Sequence, residues 1–566
     1  MTISLRVVGE KMYADASPQD ALTLKLVTGA RYKKANDVWE MPASRVQFAS
    51  LRGLTSPYQL HMEDSALRAE TRLNMLAEKL EETKKNYDTI VSEPELYPFQ
   101  NAGVRFLGKS KQVLLADEMG TGKTVQSLVA VKLLKGFPLL IVCTNSMKHK
   151  WAEEIEKWTY ATPIVVGGTA AQRKKAIAST QDVVGDYAGI INYESLRLHT
   201  KMAPFGNTVL SKKESELKEL NNINWVTVIA DEVHRAKEPK AKQTRALWGV
   251  SANATYRFGL TGTPIMNNPD DLWSIMRFIC PNEWSSRSRF RTRYCNVQAG
   301  WHGGLENLGL QAQRVPELDK FLQPRMIRRT KSEVLPQLPS KTYDVRYIPL
   351  TGKQETAYAS MVKHMMAEVD GGYLVSADPL SALSRLRYLA SAFAEVENGQ
   401  VKELKAPSNK LVAIKDILEE GGTPIVIYAE SRKLIEFLDS ELSQIYKTGL
   451  LTGKQSPQER NDNVELFQDK GLDILLATTG AGAEGITLTA ANRLVMAQES
   501  WSNTANKQSH DRIHRIGQEQ NVQIITLLSD STIDESVHKV CADKEHQLQI
   551  LVRDPDWFKA AMRGDI

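Results

Sequence analysis

From Gln112 onward the apolar positions fall into short, uninterrupted runs: QVLLAD, PLLIVCT, GIINY, WVTVIAD and YRFGLTGTP, with a helical pattern beginning at Thr124 after the first. Runs without period-two alternation predict strands buried on both faces, and strands alternating with helices predict a parallel sheet covered on both sides. A second series, PIVIYAES, KTGLLTG, DILLATT, NRLVMAQ and QIITLLS, begins after Ala406. From about Asp270 to Ala406 helical, Arg-rich and Gly-containing segments break the rhythm. The fold class is therefore α/β: two parallel-sheet units separated by a helical insertion.

Ahead of the first series lie strand-like pieces and the cluster GARYKKANDVWEMP, with Arg31, Tyr32, Lys33, Lys34 and Trp39. They predict a small separate module, in which the aromatic and basic residues are either a DNA hook or a hydrophobic anchor on a small sheet. Between Leu67 and Tyr87, Ala69, Leu73, Leu76 and Leu80 share one helical face, which predicts a bridging amphipathic helix or a short coiled-coil seam. The expected organisation is an accessory module over 1–66, a helical linker over 67–93, a first lobe over 94–280, helical protrusions and linker over 281–405, a second lobe over 406–530 and a C-terminal bracing helix over 531–566.

Length changes this picture little: 566 residues suit several domains, each with its own core. The longest apolar stretch, around Leu139 to Cys143, is far short of a membrane span, and the N-terminal text lacks the apolar run of a signal peptide. A soluble, intracellular protein is expected, cytoplasmic or nucleoid-associated, with no membrane partner. Four scattered cysteines without a CxxC pair signal neither a zinc module nor a disulfide framework. A net charge of +5 permits nucleic-acid binding but confines any DNA footprint to local patches.

The chemistry starts at ADEMGTGKT, Ala116 to Thr124, which follows an apolar run and precedes a helical pattern, the setting of a phosphate loop. Backbone N–H groups from Gly120 through Thr121 and Gly122 to Lys123 would cradle phosphate. Lys123 would neutralise β and γ oxygens, and the Thr124 hydroxyl would ligate Mg2+. Asp117 stands where the general pattern has glycine. The plain alternative is a glycine turn with a surface lysine. WVTVIADEVH then sets Asp231 and Glu232 at the carboxyl end of a strand, where parallel sheets bind ligands. Asp231 would hold Mg2+ and Glu232 would deprotonate the attacking water; an acidic helix cap is the bland reading. Upstream, the amide of Gln100 in LYPFQ complements the donor and acceptor edge of adenine.

In the second unit, Gly482 and Gly485 of TTGAGAEGITLTAAN allow close backbone approach. QSHDRIHRIGQ sets Arg512 and Arg515 three residues apart, on one face if the segment is helical. A distant arginine pair of this kind completes a nucleotide site from a second lobe.

With these pieces in order the chain resembles the Swi/Snf-type (sucrose-non-fermenting) ATPases of helicase superfamily two, from about Leu96 to Leu551. LYPFQ, LLADEMGTGKT, IVCTNSMKHKW, INYESL, IADEVHRAK and LTGTPIMNN follow in that family's order. MIRRTKSEVLPQLPSK is similar to its linker, and LLTGKQSPQER, ATTGAGAEGITLTAAN and DRIHRIGQ to its second-lobe signatures. LYPFQNAGVRF, WHGGLENLGL and YKKANDVWEMP look most like the HepA-related annealing helicases. Val233, where the family usually has a small residue, and Ala483 and Glu484, where GGVG is more common, depart from the pattern.

The resemblance implies two RecA-like lobes and an ATP- and Mg2+-dependent duplex or branched DNA translocase and remodeller, with strand annealing as a further activity. It implies nucleotide contacts at Gln100, along the loop from Asp117 through Met119 to Thr124, and at Gly485, Arg512 and Arg515, with Arg515 the charge-stabilising finger. It also implies sequence-independent DNA phosphate contacts at Lys148, Lys150, Asn192, Ser431, Arg432 and Thr478, made by a monomer acting in repair or recombination. Lys148 and Lys150 also read as a solvated helix start. A strand-separating helicase and a catalytically silent DNA-binding scaffold are the competing expectations.

Overall fold

A strand that is apolar on both faces is stable only when both are covered, and this requirement shapes the larger sheets. The computed structural model describes residues 2–16, 21–25, 27, 29–53, 59–88, 96–206, 209–262, 269–299, 305–376, 379–482 and 486–552. The chain divides into two units, Met1–Thr330 and Lys331–Ile566.

In the first unit seven parallel strands run in the order Met326–Ile327, Gln112–Leu115, Tyr256–Leu260, Thr227–Ala230, Leu139–Cys143, Tyr187–Asn192 and Thr162–Val165. Helices Pro98–Ser110, Lys123–Leu134 and Lys148–Trp158 contribute Phe106, Leu128, Trp151 and Ile155 to a core shared with Val113, Ile141, Ile229 and Phe258. Each such side chain removed from water stabilises the fold by about 1.5–3 kcal/mol. The N-terminal residues form a five-stranded sheet with its own core, where Ile3, Leu5, Met12, Trp39 and Phe48 meet Ala66 and Ala69 of helix Asp64–Lys85. That helix is amphipathic as its pattern predicts, but its inward stripe is Ala66, Ala69, Ala77 and Leu80, while Leu76 faces solvent. Over this length a straight 3.6-residue helix rotates away from a strict heptad seam, which brings Ala77 inward in place of Leu76.

The second unit has six parallel strands in the order Lys341–Ile348, Val522–Ser529, Arg493–Gln498, Ile425–Ala429, Ile474–Thr478 and Thr448–Leu451. The expected helical insertion is a mixture: helices alternate with three β-hairpins, among them Phe393–Glu397 with Gln400–Lys405. Asn398 and Gly399, both at positive φ, make the two-residue turn that an Asn-Gly pair favours. The same stretch supplies a strand to each large sheet, Met326–Ile327 to the first and Lys341–Ile348 to the second.

Within the second unit the fully buried Lys410 donates to the Leu527 carbonyl at 2.6 Å and to Asp534 Oδ2 at 2.7 Å. This ties helix Asn409–Gly421 and strand Val522–Ser529 to the start of helix Ile533–Val552. Burial pushes the Lys410 ammonium down, and the Asp534 carboxylate opposes that shift. Lys410→Met leaves Asp534 buried without its cation and is expected to destabilise the second unit by about 3–5 kcal/mol, read as a lowered urea midpoint.

Candidate functional site

In the first unit the strand Gln112–Leu115 delivers the chain into the loop before helix Lys123–Leu134. Gly120 and Gly122 sit at φ +79° and +78°, left-handed conformations that turn successive loop amides toward one concavity. A Cβ at Gly122 would collide with the amide of Gln100. Gln100 is buried, accepts from the Tyr97 amide at 3.0 Å and donates to the Thr121 carbonyl at 3.0 Å. Its amide thus serves the loop itself, and an adenine edge would have to replace those bonds. Lys123 Nζ donates to the carbonyls of Asp117 at 2.9 Å and Glu118 at 3.1 Å, across the concavity. Thr124 lies in the first turn of the helix, and Met119 packs beside Gly262.

Asp117 is fully buried and forms an ion pair with Arg329, with Nε to Oδ1 at 3.1 Å and Nη2 to Oδ2 at 2.5 Å. Arg329 Nη2 also donates to Gln126 Oε1 at 3.0 Å, and Arg328 donates to the carbonyls of Ala116 and Gly262. Asp117 therefore stiffens the loop from behind rather than facing a phosphate. Its position in place of glycine follows from having a guanidinium to meet.

One strand intervenes between the phosphate-loop strand and Thr227–Ala230, which ends at Asp231. Asp231 Oδ2 accepts from the indole of Trp151 at 2.9 Å, Oδ1 accepts from the Glu232 amide at 3.0 Å, and the Asp231 carbonyl accepts from the Tyr193 hydroxyl at 2.7 Å. Burial and then the Glu232 carboxylate raise Asp231 above the usual carboxylate range, while the Trp151 bond and the Lys123 charge pull it back. Glu232 holds φ +47° and ψ +51°, a conformation that costs a non-glycine residue about 1–3 kcal/mol and clusters at functional sites. His234 Nδ1 lies 3.2 Å from Glu232 Oε2 and 3.0 Å from the Thr261 hydroxyl. Two adjacent carboxylates, one of them reluctant to ionise, suit a divalent cation whose charge relieves both. Among the described residues no group of three or more His, Cys, Asp or Glu could hold a metal, so phosphate oxygens and water would complete the shell, as Mg2+ prefers.

Of the DNA candidates in this unit, Lys148 is buried with Nζ 3.4 Å from the Val166 carbonyl. Lys150 is exposed, in ion pairs with Glu153 and Glu154. Asn192 ends the strand beside Leu139–Cys143, opposite Cys143, and donates to Glu194 at 2.7 Å. Lys148, Lys150 and Asn192 thus follow the carboxyl ends of two neighbouring strands.

In the second unit Ser431 caps helix Arg432–Leu442, and Thr478 ends the adjacent strand, opposite Ala429. Arg432 is exposed beside Glu436. These three also share a carboxyl edge. Helix Asn503–Ile513 carries Arg512 in its last turn, but His514 leaves helical geometry and Arg515 lies beyond it. The two arginines therefore do not pair along a helix face; both donate to the Ile486 carbonyl, and Arg515 also to the Thr487 hydroxyl at 3.0 Å. Gly485, with Ala483 and Glu484, lies outside the described residues. Asp511 accepts from Lys331 at 2.8 Å, Lys331 also donates to the His514 carbonyl at 2.8 Å, and Lys341 lies 3.4 Å from Asp511.

The sequence pattern of the SNF2-related domain matches residues 99–392, and that of the helicase conserved C-terminal domain matches 409–517. The chain belongs to the SNF2-related family. Over 453 residues this SNF2-related chain is 28% identical to the SWI/SNF chromatin-remodeling complex subunit snf22 of Schizosaccharomyces pombe, covering 75% of this chain and 26% of that protein. It is 29% identical to the human DNA annealing helicase and endonuclease ZRANB3, covering 78% of this chain and 39% of that protein. The chain thus spans only about a quarter to two fifths of these curated relatives. Against the Sulfolobus solfataricus SWI2/SNF2 ATPase core in complex with dsDNA the TM-score is 0.37 at 24% identity, covering 83% of this chain and 98% of that one. The two parallel-sheet lobes are RecA-like.

Val233 is fully buried, and its Cγ1 fills the space that a side chain at Gly259 would take, so Gly259 accommodates the larger residue. Residues that the sequence did not single out surround these positions: Trp151 and Tyr193 at Asp231, and Gln126 and Arg329 at Asp117. A buried tryptophan, tyrosine or arginine needs a polar partner, which is the one signal they carried.

Arg329→Ala strands the Asp117 carboxylate and is expected to cost about 3–5 kcal/mol, whereas the double variant Arg329→Met with Asp117→Asn recovers most of it in urea denaturation. At Asp511 burial opposes ionisation, but Lys331 and Lys341 outweigh it and hold the carboxyl well below its usual range. A depressed folded-state value stabilises the fold fully above about pH 4 and loses that contribution as pH falls through the folded value. Asp511→Asn should therefore flatten the acid limb of stability against pH in urea titrations from neutral to acid.

Proposed function

We propose that this chain is a DNA-stimulated ATPase that translocates on duplex or branched DNA and remodels it. The observation that carries the proposal is the Asp231–Glu232 pair at the carboxyl edge of the sheet that also supplies the phosphate loop, in a chain of the SNF2-related family. Loop amides from Gly120 to Lys123 bind the phosphates, and the Lys123 ammonium exchanges its loop carbonyls for phosphate oxygens. Thr124 and Asp231 would hold Mg2+, which would neutralise phosphate charge. Glu232, aimed by its left-handed backbone and by His234, takes the proton of the attacking water. Arg512 and Arg515 supply the positive charge that develops a use only in the transition state.

Lys150, Asn192, Ser431, Arg432 and Thr478 hold DNA phosphates without reading bases, and Lys148 joins them once its ammonium leaves the Val166 carbonyl. The protein acts as a monomer. Strand annealing belongs to the proposal through the similarity to a protein named as an annealing helicase.

Phosphate release without DNA and with single-stranded, duplex and forked DNA tests this function, together with strand separation, strand annealing and salt titration of DNA binding. Turnover rising on duplex or forked DNA, with affinity falling steeply as salt rises, supports it. Turnover absent in all four conditions identifies a silent scaffold, and strand separation without annealing identifies a helicase. Arg515→Ala is expected to slow turnover by about 10³ to 10⁵. The lost hydrogen bonds to Ile486 and Thr487 cost the fold only about 1 kcal/mol each. Near-normal turnover would make Arg515 a structural residue.

A further inference from the structure

Two of the elements proposed to hold DNA each send one buried hydrogen bond to the same residue, Asp231. Trp151 lies one turn after Lys148 in helix Lys148–Trp158, is fully buried, and donates its indole N–H to Asp231 Oδ2 at 2.9 Å. Tyr193 directly follows Asn192, is fully buried, and donates its hydroxyl to the Asp231 carbonyl at 2.7 Å. One bond fixes the carboxylate, the other the backbone that carries it.

Packing alone does not call for these donors. Trp151 sits in an apolar core with Ile155, Cys143 and Ile190, where a phenylalanine ring would fill much of the same space without a polar atom to satisfy. The Tyr193 ring is fully buried as well, and a phenylalanine there would leave out only the hydroxyl. The Trp151 indole meets the Asp231 carboxylate and the Tyr193 hydroxyl meets the Asp231 carbonyl, and in a dry interior such bonds are strong and directional.

We infer that Trp151 and Tyr193 are positioning residues through which DNA held at the start of helix Lys148–Trp158 and at Asn192 sets the orientation of the Asp231 carboxylate toward the nucleotide-bound cation. This rests on the function proposed above. A small displacement of either element on gripping phosphate moves a donor bonded to Asp231, Trp151 at the carboxylate and Tyr193 at the backbone carbonyl that carries it, so DNA and the Mg2+–nucleotide complex bind cooperatively. Thermodynamic linkage makes that effect reciprocal: each ligand tightens the other by the same factor.

The test uses the full chain and its Trp151→Phe and Tyr193→Phe variants, which keep an aromatic ring and remove one donor each. The dissociation constant of a fluorescein-labelled duplex is measured by anisotropy with and without Mg2+ and a non-hydrolysable β,γ-imido ATP analogue, and the analogue's own constant with and without DNA. The unaltered protein is expected to show a mutual tightening of at least about fivefold. In each variant that factor falls to within about twofold of unity, while affinity for DNA alone stays within about twofold of the unaltered protein. A variant that keeps the full factor overturns the inference. So does one in which affinity for DNA alone and thermal stability fall together with the factor, since that marks a structural role. An unaltered protein that binds DNA and nucleotide independently overturns the inference but leaves DNA binding standing. One that binds no DNA overturns the proposed function itself.

Discussion

A carboxylate taken out of water must meet a positive charge or strong donors, and the first unit is organised around that constraint at Asp117. The guanidinium of Arg329 answers it with two hydrogen bonds, reaching a loop laid down 212 residues earlier in the chain. That ion pair lies just beyond the strand Met326–Ile327, which pairs with Gln112–Leu115 at the edge of the sheet. It also anchors the loop before helix Lys123–Leu134 through Asp117. Loop amides that are already aimed before a phosphate arrives have no reorganisation to undergo when it does.

The second unit applies the same rule with ammonium groups. Lys331 and Lys341 converge on Asp511, one residue before Arg512, and Lys410 meets Asp534 at the start of the last described helix. Lys331 also takes the His514 carbonyl, an acceptor that the end of helix Asn503–Ile513 leaves over. The turn that presents Arg515 is thus fixed by its neighbours. Its own guanidinium donates to two neutral oxygens, Ile486 O and Thr487 Oγ1. Rigid support beneath a replaceable contact is what a charge-stabilising arginine needs.

Asp231 differs from Asp117 and Asp511 in the donors that its carboxylate accepts from. Asp231 is met by neutral donors, Trp151 and the Glu232 amide, and Glu232 stands in a strained backbone conformation beside His234. Neutral donors orient a carboxylate without cancelling its charge, so it remains available to a cation. The ion pairs at Asp117 and Asp511 and the neutral bonds at Asp231 are therefore distinguishable by the charge of what each carboxylate accepts from.

Both large sheets, the glycine turn before helix Lys123–Leu134 and the place of Asp231 and Glu232 at a strand end were legible in the sequence, because buried parallel strands and glycine-rich turns are local patterns in which each residue's preference agrees with its neighbours. The hairpin at Asn398–Gly399 carried an equally local signal that the broader helical impression of the insertion obscured. Local text could not assign Met326–Ile327 and Lys341–Ile348 to sheets, show that Asp117 meets Arg329, or carry the pairing of Arg512 and Arg515 past the end of their helix. Nor could it disclose that Trp151 and Tyr193 converge on Asp231. The periodicity of apolar residues determines which segments become strands and helices, since burial acts on each segment's own pattern. Which buried polar atom finds which partner was decided only by the tertiary fold, because hydrogen bonds and ion pairs require contact within about 3 Å between residues that the chain separates by scores or hundreds of positions.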